Sequence, residues 1–309
     1  MARTRISIIT SNYRSEAYLR GFLDAVPEQT AFDQLELILV HNEPSSLEME
    51  WVQAFQEEHP GRLRHLIVDN VEPLSASWNR GIRAACAEYV CLWNVDDIRT
   101  PDSIELQMRA LDEHPDVLLA YGDFVMIDSP GAREGVHLRL PSFDMEGFVQ
   151  GYHCGPFPMW RKSVHERVGM FDEQLRSAVD YDLICRIAFA GPMLHVGESL
   201  GFFLNIGQGL STSSDLTHVE EDVIRLRYGM FDEIDTRYLR RALHYRVRHI
   251  QQDGSWFNVR RFVPDYGRRM RGSGKRLVAG LRRNVVRRFP RFAALVVRAK
   301  RSVRRDQHD

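Results

Sequence analysis

Four apolar runs in the first 94 residues are separated by three stretches of helical periodicity, and this alternation narrows the fold more than any other feature. RISIITS (5–11), LELILVH (35–41), LRHLIV (63–68) and EYVCLWN (88–94) read as strands. Between them, Ser15 can cap a helix whose apolar face is Tyr18, Leu19, Phe22, Leu23 and Val26. A second helix carries Leu47, Trp51, Val52 and Phe55, and a third is expected near 75–87. The pattern predicts an α/β fold, a mostly parallel sheet covered by helices on both faces. Such sheets take ligands at the carboxyl ends of their strands. Asn12 with Tyr13, His41 to Glu43, and Asp96 with Asp97 fall at those ends and are expected to share one crevice.

The fourth run stops at two adjacent acids, in LWNVDDIRTPD (92–102). Neighbouring carboxylates repel, and each costs several kcal/mol to desolvate without compensation. No GxGxxG follows the first strand and no GxxxxGK[ST] occurs, which argues against a dinucleotide fold and a P-loop. Paired carboxylates suit a hard divalent cation, Mg²⁺ or Mn²⁺, bound largely through substrate phosphates. The plainer reading is that Asp97 opens the next helix, with Asp96 in a solvated turn; TPDSIE does read as a helix start.

Composition bounds the rest. Hydrophobic content of 44% and charged content of 27% over 309 residues suit a globular chain with one large domain and an appendage. Four cysteines without a CxxC pair suit a reducing compartment. The N-terminal apolar run is too short for a signal peptide, and no run spans a bilayer, so a cytoplasmic protein is expected. The near-zero net charge hides an asymmetry. Residues 1–236 hold 19 Lys and Arg against 38 Asp and Glu, whereas residues 237–309 hold 22 against 4. A basic tail of this kind suggests an anionic partner surface.

SIITSNYRSEAYLRGFLDAV, LILVHNEPSS, LSASWNRGIRAACAEYVCLWNVDDIRTPDSIELQ and GPFPMWRKSVHERVGMFDE together resemble a family-2 glycosyltransferase of GT-A fold, over about residues 5–212. The resemblance implies a nucleotide-diphosphate sugar lying across the carboxyl edge of the sheet. Thr10, Ser11 and Asn12, then Asn42 and Glu43, would hold the base, and Ser75 and Asn79 would line the donor site, though a buried helix start explains those two equally well. NVDD matches the family's DXD-type motif, with Asn94 in place of its first acid. Asp96 and Asp97 would then divide ribose contact and coordination of Mn²⁺ or Mg²⁺. In SAVDYDLICRIAFAG (177–191), Asp180 aligns with the family's general base. A plain helix cap explains Asp180 as well, and Asp182 is a second candidate that would suit the helix dipole. One base without a covalent nucleophile implies inversion at the anomeric carbon.

HCGPFPMWRKSVHE (153–166) is expected on the acceptor side, with Trp160 stacking on a sugar ring and Arg161 meeting a phosphate, though such a Trp is more often core. LNIGQGLSTSS (204–214) would fold over the nucleotide. His153, His165, His195 and His218 lack metal-ligand spacing. In the tail, 275–305 carries Leu277, Val278, Leu281, Val285 and Val286 on one stripe among arginines, and Phe292, Leu295 and Val296 resume it after Pro290. That stripe suits an anionic membrane surface or docking on the acidic body, and nucleic acid poorly. The expected layout is a catalytic domain at 1–214, with a donor half (1–100) and an acceptor half (101–214), followed by a helical Arg-rich region at 215–309. The expected activity is sugar transfer to a glycan or lipid-linked acceptor in surface polysaccharide synthesis. The alternative is a catalytically silent scaffold that binds a nucleotide sugar or glycan and recruits partners through its tail.

Overall fold

A computed structural model describes residues 3–149, 151, 154–207 and 215–288. The chain opens as expected: β1 (Ile6–Asn12), α1 (Glu16–Ala25), β2 (Leu35–Asn42), α2 (Ser46–Glu58), β3 (Leu63–Val68), α3 (Leu74–Ala84) and β4 (Tyr89–Leu92). It continues through β5 (Ile98–Arg99), α4 (Ser103–Glu113), β6 (Leu119–Ile127), β7 (Val136–Leu138), α5 (Met145–Phe148), β8 (Met159–Arg161), α6 (His165–Val168), α7 (Val179–Ala190) and β9 (Met193–Leu204). The C-terminal part adds α8 (Asp215–Tyr228), α9 (Leu239–Ala242), the hairpin β10 (His249–Gln252) and β11 (Ser255–Asn258), α10 (Tyr266–Arg269) and α11 (Ser273–Arg288).

The nine-stranded sheet has the order β3-β2-β1-β4-β8-β6-β9-β5, with β7 beside β6. β1 pairs in parallel with β2 and β4, and β2 with β3. β8 is inserted antiparallel between β4 and β6, and β6 runs parallel to β9. Alternate side chains feed two cores, as the pleat requires. Ile9, Ile38, Val90, Leu119 and Trp160 face the layer holding α3, α7 and α8, while Ile8, Leu37, Cys91, Ala120 and Met159 face α1, α2 and α4. Burial on both faces explains the nearly continuous apolar runs.

Local rules account for several ends. Ser45 and Glu48 close a reciprocal capping box on α2. Asp253 and Gly254, both at positive φ, make the two-residue turn between β10 and β11. Ser15 stands at the start of α1, but its hydroxyl donates to Tyr13 O rather than capping the helix. Leu47, expected on the apolar face of α2, is 44% exposed.

The described C-terminal residues share the larger core. Val219, Val223, Ala242, Ile250, Val259 and Phe262 are buried in the same cluster as α3 and α7. Leu277 and Leu281 of α11 pack against it, and Arg283 pairs with Asp232. A methyl group on Gly280 would meet Phe231 O, so this helix lies close on the body, while Val278 stays half exposed. Docking is thus the arrangement of the described part of the tail. The stretch 289–305 and the loop beyond residue 207 lie outside the described residues. No helix among the described residues is long and apolar enough to cross a membrane.

Candidate active site

Asp97 is 4% exposed at the mouth of β4 and does not open a helix. Its backbone N–H donates to Asn94 O at 3.1 Å, and Trp93 Nε1 donates to Asp97 O at 3.0 Å, which closes a tight turn. The carboxylate accepts from Leu204 N at 3.2 Å and from Asn94 Nδ2 at 3.3 Å, so it joins the end of β4 to the end of β9. Burial pushes its pKa well above the ordinary range, and the neighbouring Asp96 adds to the push. The buried Arg99 guanidinium opposes that rise, but it is spent on Gln107 Oε1 and Leu92 O. Asp96 is half-buried, its pKa also raised by burial. Two desolvated carboxylates held side by side, with their pKa values raised, fit a cation. Among the described residues no cluster of three or more His, Cys, Asp or Glu side chains is placed to ligate a metal. A bound ion would therefore draw its remaining oxygens from substrate and water, as Mg²⁺ and Mn²⁺ sites on phosphates do.

The residues expected around the base divide into two groups. Thr10 is fully buried and donates to Trp93 O at 2.9 Å. Asn12 is fully buried too, with Nδ2 2.8 Å from Glu48 Oε1 and 2.9 Å from His41 Nε2. His41 Nε2 also lies 3.3 Å from Glu48 Oε2, and its Nδ1 meets His65 Nε2 at 3.1 Å. Burial lowers His41 and brings His65 down to about 4. Burial works against the Glu48 charge, yet Ser45 N–H, Asn12 and His41 hold its pKa below the ordinary range. Asn42, 2% exposed, accepts Glu72 N at 3.0 Å and donates to Ser77 Oγ at 3.1 Å. Thr10, Asn12 and Asn42 thus brace the strand mouths through bonds within the protein, as buried polar groups must. Ser11, half-buried, and Glu43, exposed at φ +46°, remain at the surface.

Ser75 and Asn79 are bonded within the protein in the same way. Both are fully buried on α3. Ser75 Oγ donates to Leu175 O at 3.2 Å. Asn79 accepts Phe171 N at 2.8 Å and donates to Phe171 O and Glu173 Oε1, each at 3.0 Å. They tie α3 to the segment that leads into α7.

Asp180 is half-buried at the second position of α7, where its carboxylate accepts Tyr181 N at 2.8 Å; Ala178 occupies the cap position. It lies close enough to Cys154 for its charge to help burial push that thiol up. Cys154 places it on the sheet. Cys91 pairs with Met159, and β8 is antiparallel to β4, so the chain from Met159 back to Cys154 runs the way β4 exits. That is the direction of the carboxyl end of β4, beyond which Asp96 and Asp97 lie. Asp182 faces the opposite circumstance, fully buried with Arg186 Nη2 at 2.8 Å, Arg227 Nη1 at 2.5 Å and Tyr228 OH at 2.8 Å. Burial disfavours its charge, but the two arginines hold its pKa below the ordinary range. It is the hub of a buried ion network and not a dipole ornament.

Neither residue expected at the acceptor can serve there. Trp160 is 1% exposed, wedged against Phe171 with Nε1 on His165 Nε2. Arg161 pairs with Tyr89 at the amino end of β4, the far edge of the sheet, and donates to Val117 O and Leu111 O. The reversed direction of β8 causes this, and residue spacing carries no trace of it.

A family model described as Glycosyl transferase family 2 matches residues 7–169. The Escherichia coli protein named chondroitin synthase is 24% identical over 193 residues, which is 62% of this chain and 28% of that protein. A Rickettsia felis protein, an uncharacterized glycosyltransferase, is 25% identical over 208 residues, 63% of this chain and 33% of that one. The chain thus spans about a third or less of these relatives' length. Staphylococcus aureus TarS 1–349, solved in complex with UDP, superposes with a TM-score of 0.59 at 15% identity, over 79% of this chain and 73% of that one. A mannosyltransferase from Pyrobaculum calidifontis, solved with GDP-Man and Mn²⁺, gives 0.53 at 16% identity, over 98% and 81%.

Proposed function

Since this chain belongs to glycosyl transferase family 2 and has the GT-A fold, we propose that it moves a sugar from a nucleotide-diphosphate donor to a glycan or lipid-linked acceptor, with inversion, in surface polysaccharide synthesis. The observation that carries the reading is the desolvated Asp96–Asp97 pair beyond the carboxyl end of β4, the direction in which the chain from Met159 to Cys154, close to Asp180, also runs. Asp96, the less committed of the two, with Asp97 behind it, would hold Mn²⁺ or Mg²⁺. When bound, that ion supplies charge stabilisation to the departing diphosphate. Asp180 takes the proton of the acceptor hydroxyl as its oxygen attacks the anomeric carbon. The bond from that carbon to the diphosphate oxygen breaks, and the electron pair leaves with the nucleoside diphosphate. Ser11 and Glu43 face the donor; the buried Thr10, Asn12, Asn42, Ser75 and Asn79 keep the edge in shape.

We assign residues 1–100 to the donor half, 101–214 to the acceptor half, and 215–309 to a region that braces the second half. The basic stretch 275–305 would draw the enzyme to an anionic membrane carrying the acceptor.

Incubating the full chain with UDP-, GDP- and dTDP-sugars, with Mn²⁺, Mg²⁺ or EDTA, tests this reading. Metal-dependent release of nucleoside diphosphate from one donor, abolished in Asp180→Asn while nucleotide binding persists, is expected. Binding of a donor without turnover would favour the silent scaffold, the reading that Asn94 in place of an acid supports.

A further inference from the structure

We propose that Glu220 is a positioning residue for Asp180, a buried carboxylate on α8 that fixes the chain entering α7 and with it the place of the base. The inference rests on the role given to Asp180 above. Glu220 is fully buried. Its Oε1 accepts Arg176 N at 2.9 Å. Its Oε2 accepts Arg176 N, Ser177 N and Ala178 N at 3.0, 2.8 and 3.0 Å. Tyr245 OH donates to the same carboxylate at 3.2 Å. The hydroxyls of Ser177 and Thr217 meet at 2.7 Å, so α8 grips the entry to α7 at two points.

A helix begins with N–H groups that have no partner inside it, and a Ser or Asp at the cap position ordinarily supplies one. Here the cap position is Ala178, which has no side-chain acceptor. Within the first turn, Tyr181 N–H goes to Asp180 itself, while Glu220, 42 residues away in the sequence, takes the N–H of Ala178 and of the two residues before it. A local cap would stop the helix from fraying but leave it free to shift as a unit. An anion rooted in another helix fixes the entry to α7 against the rest of the molecule. On the far side, Ser75 and Asn79 hold Leu175 and Phe171. The stretch 171–178 is thereby clamped between α3 and α8, and Asp180 follows two residues later. Misplacing a base by about 1 Å can cost about 100-fold in rate, which is the scale such a clamp protects.

The experiment compares Glu220→Gln, Tyr245→Phe and Asp180→Asn in the full chain, reading kcat, donor KM, nucleotide Kd and melting temperature with the donor and metal that the wild type uses. Glu220→Gln keeps the shape but turns one acceptor into a donor facing backbone N–H groups. It should lower kcat about 10- to 100-fold with KM and Kd within about twofold. Tyr245→Phe, which removes one hydroxyl, should give a smaller fall in kcat at wild-type melting temperature. Wild-type kcat in folded Glu220→Gln overturns the proposal. If that variant does not fold, wild-type kcat in both Tyr245→Phe and Ser177→Ala overturns it. Full turnover in Asp180→Asn sinks the base assignment, whereas loss of turnover there beside an active Glu220→Gln sinks only the clamp. A wild type that turns over no donor overturns both.

Discussion

Asn94 gives its side-chain amide to the carboxylate of Asp97 across 3.3 Å. The contact sets a neutral donor beside a desolvated pair of acids. It leaves Asp97 better satisfied than Asp96, and it makes the two acids unequal in a way that substitution can expose.

Asp96→Asn is expected to leave the melting temperature within about 2 °C of wild type and to lower metal-dependent turnover by about 100-fold or more, the loss of roughly 3 kcal/mol of charge stabilisation. Asp97→Ala should lose both, because Leu204 N and Asn94 Nδ2 are left without their acceptor. Paired kinetics and thermal melts decide the matter; equal melting losses in the two variants would show that the division of labour is wrong.

Asn94→Asp places a third carboxylate against a pair whose pKa values burial already raises. In EDTA the variant should melt below wild type by several degrees, and saturating Mn²⁺ should return most of the difference. Melts that ignore the metal would contradict a cation site here.

Breaking the buried network is a matter of stability. Asp182→Ala takes the carboxylate from the fully buried Arg186 and leaves the equally buried Arg227 with Asp172 alone, and should cost about 3–5 kcal/mol in denaturant unfolding. Asp182→Asn should cost less. A loss under about 1 kcal/mol would mean that the arginines find other partners.

Acid should loosen the mouths of β2 and β3. His65, lowered to about 4, and His41, also lowered, stay neutral in the fold where the unfolded chain takes up protons. Their contribution is present above about pH 6.5 and is lost as pH falls toward about 4. Asp222, raised to about 6, works the other way and costs stability as pH climbs through that value. The variant His65→Leu isolates the histidine effect: its stability should fall less than that of wild type between pH 6.5 and 4.5. An identical slope would assign the acid sensitivity elsewhere.

Flotation with anionic liposomes should retain the full chain and lose a truncation after Arg288. Cutting earlier would confound the assay, since Ala242, Ile250 and Val259 belong to the core. Equal flotation of the two forms would remove the membrane role of 289–309.

The alternation of apolar runs with helical faces settled the α/β class and the parallel β1–β4 sheet, because strands covered on both faces and amphipathic helices leave period and composition as their record. It also placed Asp96 and Asp97 at a strand mouth. Sequence could not show which way the polar residues at those mouths turn. Thr10, Asn42, Ser75 and Asn79 read the same whether they face a ligand or a neighbouring carbonyl, and contacts up to 100 residues away decide it. The antiparallel insertion of β8 sent Arg161 to the wrong edge. The anchor of the chain entering α7 came from Glu220, 42 residues from the cap position. Local patterns are written by local energetics; the direction of a strand, the inward turn of a hydroxyl and the partner of a buried carboxylate are set by whichever distant segment satisfies them when the chain closes.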